Sequence, residues 1–374
     1  MTATASGLRV VLVHDWLTGM RGGEKVLESI CRLFPNAGIR TLVHEKGSTS
    51  ALLESRALPS SFVNRLPQIG RLYRYYLPLF PAAVETLDLD EADLVISTSH
   101  CAAKSVIRSG RAVHVCYCHS PMRYAWDQFE AYFGPERVGR AASAVLRPVL
   151  AWLARWDRRT AGRVDHYVAN SAFVAGRIGR YYNRRASIVH PPVDTRFFTP
   201  DGEAPEPYFL VVSALVPYKR IDMAIRAANL LSVPLKIVGT GPDRARLERE
   251  AGPGVTFLGA LEPEALRHAY RRATALVLPA EEDFGIAPVE AMACGRPVVA
   301  LGVGGATETV LPGVTGWLVP SSTPEAFAEA MHQAQTTPLD QRAIVEHAER
   351  FSTEAFETQF AAVVRQALGA TAPC

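Results

Sequence analysis

Glu282 and Glu290 stand with seven residues between them in AEEDFGIAPVEAMACG (Ala280–Gly295), which follows the apolar run Ala275–Leu278 and opens a helix near Pro288. Proline suits a first helical turn, where its missing N–H has no partner to lose. The amides of Phe284, Gly285 and Ile286 then point outward, and such amides, with the helix dipole behind them, bind anions or sugar hydroxyls. Glu282 precedes this turn and reaches forward; Glu290 lies one turn inside the helix. A carboxylate accepts from both members of a vicinal hydroxyl pair, such as ribose and hexose rings carry. For two glutamates alone, an acidic loop with a capping side chain is the simpler account. The preceding strand, the Phe-Gly turn and the small-residue helix favour a ligand site.

Three further groups carry chemistry. SALVPYKRID (Ser213–Asp222) follows another apolar run, and Lys219 at the start of its helix can set a compact point charge against a diphosphate. The loop His14–Glu24 holds Gly19, Gly22 and Gly23, which let the backbone approach a phosphate, although neither G-x-G-x-x-G nor G-x-x-x-x-G-K-[ST] occurs. CYCHSPMRYAWD (Cys116–Asp127) ends a strand. Cys116, Cys118 and His119 are metal-ligand types, but the cysteines alternate along the strand and no second Cys/His pair has zinc spacing. They read as buried free thiols. His119 is expected to hydrogen-bond a substrate, with Arg123, Tyr124 and Trp126 on the same rim. Asp88-Leu89-Asp90 has an Asp-x-Asp shape, but Glu91 and Asp93 beside it make it a solvated turn.

The elements that must position these groups alternate. Leu8–Val13, Asp93–Ser97, Val113–Cys118, Asp165–Ala169 and Ser187–His190 read as short strands buried on both faces, with a helix through about Phe34 and a long one over Val138–Arg163 bent or broken by Pro148. HPPVD (His190–Asp194) and the breaker-rich TPDGEAPEP (Thr199–Pro207) interrupt the pattern and mark the domain boundary. Strands then recur at Tyr208–Ser213, Leu235–Gly239, Val255–Leu258, Ala275–Leu278 and Val298–Ala300, with helices at Ile221–Leu231, Asp243–Glu250, Glu264–Arg272 and Pro288–Cys294. The sequence thus predicts an α/β chain of two doubly wound parallel-sheet, Rossmann-like domains facing a cleft: residues 1–192, completed by a C-terminal helix 355–374, and residues 193–354.

Composition agrees with a folded, two-domain chain of 374 residues, 48% apolar and 21% charged. Six scattered cysteines (Cys31, Cys101, Cys116, Cys118, Cys294, Cys374) make a poor disulfide framework, so a reducing cytosol is expected. No run reaches the ~18–20 apolar residues that span a bilayer. Leu8–Val13 lacks a basic head and a cleavage site, and reads as a strand rather than a signal peptide. Charge is uneven: residues 1–200 carry 26 basic and 16 acidic side chains, residues 201–374 carry 14 and 21. The basic part suits an anionic membrane, nucleic acid or substrate. Within it LPQIGRLYRYYLPLF (Leu66–Phe80) mixes Arg71 and Arg74 with aromatics, as a membrane interface or lipid-linked acceptor would require; no nucleic-acid motif accompanies it.

Taken in order, RGGEK, CYCHSPMRYAWD, HPPVD, LVPYKRID, VGTGP, EEDFGIAPVEAMACG and GGATETV (Gly304–Val310) resemble the retaining GT-B glycosyltransferases of the large family that includes bacterial mannosyltransferases, over nearly the whole chain. The segments HSPMRYAWD and LVPYKR are most similar to its polysaccharide and O-antigen assembly subgroup. The resemblance implies a hexosyltransferase using GDP-mannose, a glycan or lipid-linked acceptor, no cofactor beyond the nucleotide sugar, and a cytoplasmic place, peripheral at the inner face of the plasma membrane. It implies that Glu282 holds the donor sugar and Glu290 the ribose. Lys219 neutralises the diphosphate with the amides of Gly22 and Gly23, and His119 sits beside the transferred sugar. Gly239 and Gly241 leave room for the nucleotide, whose base lies near Leu258. Asp15, Arg123, Tyr124 and Trp126 face the acceptor.

No metal is expected, because Lys219 and the helix ends take its part. Retention, by front-face displacement, is likewise implied. Ala214 departs from the family, which usually carries Arg five residues before the Lys; either Arg220 or Arg21 compensates or the donor is bound more weakly. Two alternatives remain at this point: a nucleotide-sugar epimerase of the same fold, and a nucleotide-sugar-binding regulator without turnover. A dinucleotide dehydrogenase is disfavoured by the missing G-x-G-x-x-G.

Overall fold

The computed structural model describes residues 7–89 and 91–370. Asp90 of the Asp-x-Asp turn, Cys374 and the last four residues of the expected C-terminal helix lie outside the described residues. The chain forms two compact units, Met1–Pro192 with Phe356–Cys374, and Val193–Ala355.

The first unit holds strands β1 (Val10–Leu17), β2 (Gly38–His44), β3 (Leu94–Ser99), β4 (Val113–Cys118), β5 (His166–Ala169) and β6 (Ala186–Ile188). They form one parallel sheet in the order β2-β1-β3-β4-β5-β6. Strands β3 and β4 are buried throughout, as their unbroken apolar runs require. Side chains alternate across the sheet. Leu12 packs on one face with Val26 and Ile30 of the helix Gly22–Leu33, while Val13 packs on the other with Phe80 and Val84. The helix Thr353–Ala370 sends Phe356, Phe360, Val364 and Ala367, one stripe at helical spacing, into the first of these cores. Burying each phenylalanine contributes about 1.5–3 kcal/mol.

The second unit holds β7 (Phe209–Val212), β8 (Leu235–Val238), β9 (Val255–Gly259), β10 (Ala275–Leu278), β11 (Val298–Leu301) and β12 (Gly316–Val319). Its parallel sheet runs β12-β11-β10-β7-β8-β9. Each sheet therefore reverses its strand order once, between β1 and β3 in the first and between β7 and β10 in the second. Ligands of such sheets bind beyond the carboxyl ends of the strands at that point.

Three local expectations are corrected. The edge strands β2 and β12 escape a search for apolar runs, because GIRTLVH and GWLV open on glycine and carry polar or half-exposed positions. Pro148 does not break its helix, which runs from Arg140 to Thr160. Ala144, whose carbonyl loses its N–H partner, and Pro148 are both exposed, so solvent serves that carbonyl. Thr199–Pro207 lies inside the second unit, and of the two segments only His190–Asp194 holds the boundary, between Pro192 and Val193. Arg272 Nη1 donates to the Ala204 carbonyl at 3.2 Å and Arg296 Nη2 to the Glu203 carbonyl at 3.0 Å.

Candidate active site

In the second unit the loops after β7 and β10 meet at the strand-order reversal. Lys219 ends a short turn, Pro217–Lys219, and its ammonium donates to Glu282 Oε1. The two side chains are only 16% and 15% exposed. Glu282 is placed by its own backbone, whose carbonyl accepts from the Gly305 amide at 2.8 Å. A side chain at Gly305 would meet Phe284 Cα at 2.3 Å, which is why GGATETV packs so closely on EEDFG. The helix Ile286–Ala293 begins two residues before the expected Pro288, with Gly285 at φ +90° as its cap. Ile286 and Ala287 supply the first-turn amides and Pro288 has none. The Phe284 ring turns inward against Phe351, at 5.5 Å between ring centroids.

Glu290, one turn inside, is buried and its Oε2 accepts from the Tyr270 hydroxyl at 2.8 Å. That contact and the burial push the tyrosine hydroxyl well above its ordinary range, burial first. Tyr270 was missed by the sequence reasoning, because only helix–helix packing brings it to Glu290.

Gly239 and Gly241 are required as glycines by their own backbone surroundings. A Cβ on either would fall 1.9 Å from the Ser213 carbonyl oxygen or 2.2 Å from that of Leu215. They are glycines because the loops after β7 and β8 lie backbone on backbone, with the Leu215 amide donating to Thr240 at 2.9 Å. Leu258 packs half-buried on the second unit's core. Arg220 caps the helix Ile221–Leu231 in the left-handed region, exposed and 3.8 Å from Asp222. Ala214 is exposed at the end of β7.

In the first unit the loops after β1, β3 and β4 gather around Gly23, the second residue of the helix Gly22–Leu33. A Cβ there would lie 3.5 Å from His119 Nε2 and 3.7 Å from His14 Cε1. Both ring Nε2 atoms are buried without a hydrogen-bond partner among the described residues, His14 Nε2 lying 3.7 Å from Glu24 Oε1. The amides of Gly22 and Gly23 belong to the first turn, which the helical ladder leaves over. Burial, with the charges of His100 and His14, pushes His119 down to about 3, so its imidazole is neutral. His14 Nδ1 pairs with Thr98 Oγ1 at 2.6 Å, and Glu24 anchors the helix by accepting from the Arg21 amide at 3.0 Å. His14, Thr98 and His100 were not anticipated. His14 and Thr98 are register partners on β1 and β3, a relation invisible without strand order.

Asp15 is corrected. It is fully buried, and its two oxygens accept from the amides of His100, Cys101, Ala102 and Ala103 at 2.7–2.9 Å. It caps that turn and sets His100 Nδ1 at 3.3 Å rather than facing an acceptor. Tyr124 and Trp126 are half-buried and anchored, Tyr124 to Cys101 Sγ at 3.0 Å and Trp126 to Asp157 at 2.8 Å. Arg123 is half-buried beside them. Cys116 and Cys118 are buried in the β4–β5 core. Among the described residues no group of three His, Cys, Asp or Glu could hold a metal ion, and no helix is long and apolar enough to cross a membrane.

Comparison with known proteins gives the following. Residues 20–197 match the family described as Glycosyltransferase Family 4, and residues 195–357 that described as Glycosyl transferases group 1. Relatives named D-inositol 3-phosphate glycosyltransferase include one from Mycobacteroides abscessus, 32% identical over 234 residues, which are 55% of this chain and 53% of the relative. Another, from Thermobifida fusca, is 32% identical over 250 residues, 56% and 58% of the two chains. The chain thus spans about half the length of the curated relatives it matches. Among solved structures, sucrose-phosphate synthase from Thermosynechococcus elongatus superposes with TM-score 0.72 at 19% identity, covering 97% of this chain and 100% of that one. Anabaena Alr3699/HepE in complex with UDP and glucose gives 0.70 at 21%, covering 96% and 99%. At these identities the structures bear on the fold, and it is that of the GT-B glycosyltransferases.

Proposed function

We propose, for a chain that belongs to the GT-B glycosyltransferases of group 1, that it moves a hexose from a nucleoside-diphosphate sugar to a glycan or lipid-linked acceptor in polysaccharide biosynthesis, with retention and without a metal. The observation that carries this is the Lys219–Glu282 pair beside the first turn of Ile286–Ala293. Cleavage of the anomeric C–O bond leaves an oxocarbenium-like sugar and adds negative charge to the departing diphosphate. Lys219 is already fixed where that charge grows, and Glu282 can accept from sugar hydroxyls once the ammonium turns to phosphate. Glu290, held by Tyr270, takes the ribose.

GDP-mannose is the first donor to try. UDP-sugars come next, since the Anabaena protein was solved with UDP and glucose. The named relatives put a cyclitol phosphate among the acceptors to test. Thermal shift against a nucleotide panel tests the donor: at 100 times its dissociation constant the true ligand adds ~2.7 kcal/mol, and GDP should shift most. A larger UDP shift removes the mannose assignment and leaves transfer standing. Acceptor-dependent release of nucleoside diphosphate separates a transferase from an epimerase, which needs no acceptor, and from a binding protein, which releases nothing.

A further inference from the structure

The amino ends of β7, β10 and β11 border a cavity of about 490 Å³ that the candidate active site does not use. Pro207, Thr274 and Pro297, which lead into those strands, line it together with Pro205, Pro338 and Leu339. The loops that carry Lys219 and Glu282 stand beyond the opposite, carboxyl ends of the same sheet. Apolar walls, a few polar groups and a volume of this order are what a small-molecule site usually has. Each proline ring fixes its own φ, which stiffens the walls. The segment Thr199–Pro207 is tied down as well: the Glu206 amide donates to the Arg272 carbonyl at 2.7 Å, and Thr274 Oγ1 donates to the Glu206 carbonyl at 3.1 Å.

Arg296 lines the same cavity and is 8% exposed. Its side chain makes one hydrogen bond among the described residues, from Nη2 to the Glu203 carbonyl at 3.0 Å, and its Nε is buried without a partner. The three acids of Thr199–Pro207 are given to other cations: Asp201 stands 3.9 Å from Arg271, Glu203 3.3 Å from Arg272 and Glu206 3.4 Å from Lys236. Burial holds the Arg296 guanidinium below its ordinary range, although the charge of Asp201 opposes this. A guanidinium keeps its proton all the same. The cavity wall therefore contains a nearly buried cation that no carboxylate neutralises, an arrangement that costs free energy until an anion arrives.

We propose that this cavity binds a small monocarboxylate with an aromatic or aliphatic body, its carboxylate on Arg296 and its body among the prolines and Leu339. A carboxylate is the planar acceptor that a guanidinium holds best. One cation balances one negative charge, and Glu206 on the rim weighs against a phosphate dianion. A neutral ligand would leave Arg296 uncompensated.

The site rests on the cavity and its cation, not on the transferase reading, and its test is a binding measurement. The full chain is titrated with benzoate, and saturation transfer from the protein to the benzoate ring protons is followed. Saturable binding is expected, with benzyl alcohol, the neutral counterpart, weaker by about tenfold or more. Arg296→Gln should lower benzoate affinity by a similar factor. So should Ala334→Phe, which fills the cavity and keeps the guanidinium, and which decides the matter if Arg296→Gln unfolds. Arg296→Lys, which keeps the charge and loses the planar fork, should fall between wild type and Arg296→Gln. Neither GDP nor UDP should displace benzoate. Wild-type protein without saturable benzoate binding overturns the proposal, as does unchanged affinity in Arg296→Gln or in a folded Ala334→Phe. Displacement by GDP or UDP would move benzoate to the nucleotide site and overturn it too, and displacement by an equal concentration of inorganic phosphate would overturn the choice of a carboxylate. A chain that binds benzoate in this way but no nucleotide would remove the transferase reading and leave this site standing.

Discussion

The Lys219 ammonium is paired with the Glu282 carboxylate across 63 residues of sequence. The two meet because β7 and β10 are neighbours where the second sheet reverses its strand order. The cation is thus held in place before any diphosphate arrives. Removing one preorganised group aimed at developing charge commonly costs ~10²–10³ in rate. Lys219→Ala should lower kcat for nucleoside-diphosphate release by that order, and Lys219→Arg should not restore it fully, since a planar guanidinium is no substitute for a compact ammonium. Steady-state release assays decide the matter, and wild-type turnover in Lys219→Ala would remove the residue from this role.

Tyr270 and Glu290 form the second pair of that unit. Tyr270→Phe deletes one donor to a buried carboxylate, which costs about 1–3 kcal/mol when nothing replaces it. Urea unfolding should show that loss. Titration calorimetry should show nucleotide affinity falling several-fold, and further in Glu290→Ala, where the carboxylate itself is gone. Glu282→Ala, by contrast, should reduce turnover more than nucleotide affinity. Unaltered nucleotide affinity in both Tyr270→Phe and Glu290→Ala would place the ribose elsewhere.

What the sequence makes legible divides along physical lines. The central strands β1, β3, β4, β7 and β10 announce themselves because burial on both faces demands continuous apolar runs, whereas the edge strands β2 and β12 meet no such demand. Lys219, Glu282, Glu290 and His119 stand out by type and by their place after strands. Their partners do not: Thr98 faces His14 through strand register, and Tyr270 reaches Glu290 through helix packing. Asp15 was misread for the same reason. The resemblance sets it toward the acceptor, and only the turn after β3, brought alongside by the sheet, reveals the four amides it serves.

The glycines provide a contrast within one residue type. Gly239→Ala sets a Cβ against the Ser213 carbonyl oxygen at 1.9 Å and at φ +132°, so either the loop after β7 moves or the unit unfolds. A loss above about 2 kcal/mol is expected. Gly23→Ala meets nothing nearer than 3.5 Å, an ordinary contact, so unfolding should shift by less than about 0.5 kcal/mol. Its methyl nevertheless takes the space beside His119 Nε2. Turnover should fall in Gly23→Ala while the melting curve stays in place. Unchanged turnover would mean that no ligand approaches the helix start.

The imidazoles of the first unit predict a pH dependence of stability. His119 is pushed down to about 3 and His114 to about 4, in both cases first by burial, and His100 is lowered in the same direction although Asp15 opposes it. An unfolded histidine titrates near 6.5. Between these values the unfolded chain binds more protons than the native one, so stability rises with pH. It is complete above about pH 6.5 and is given up as pH falls toward 4, by up to about 1.4 kcal/mol per pH unit for each histidine. The lowered carboxylates Asp15 and Glu24 act below their ordinary values of 3.8 and 4.5, mostly beneath this window. Urea midpoints measured from pH 7 to 4.5 should therefore decline, and His119→Gln should flatten the slope whatever it does to the absolute stability. A wild-type midpoint constant over that range would show that water reaches these rings.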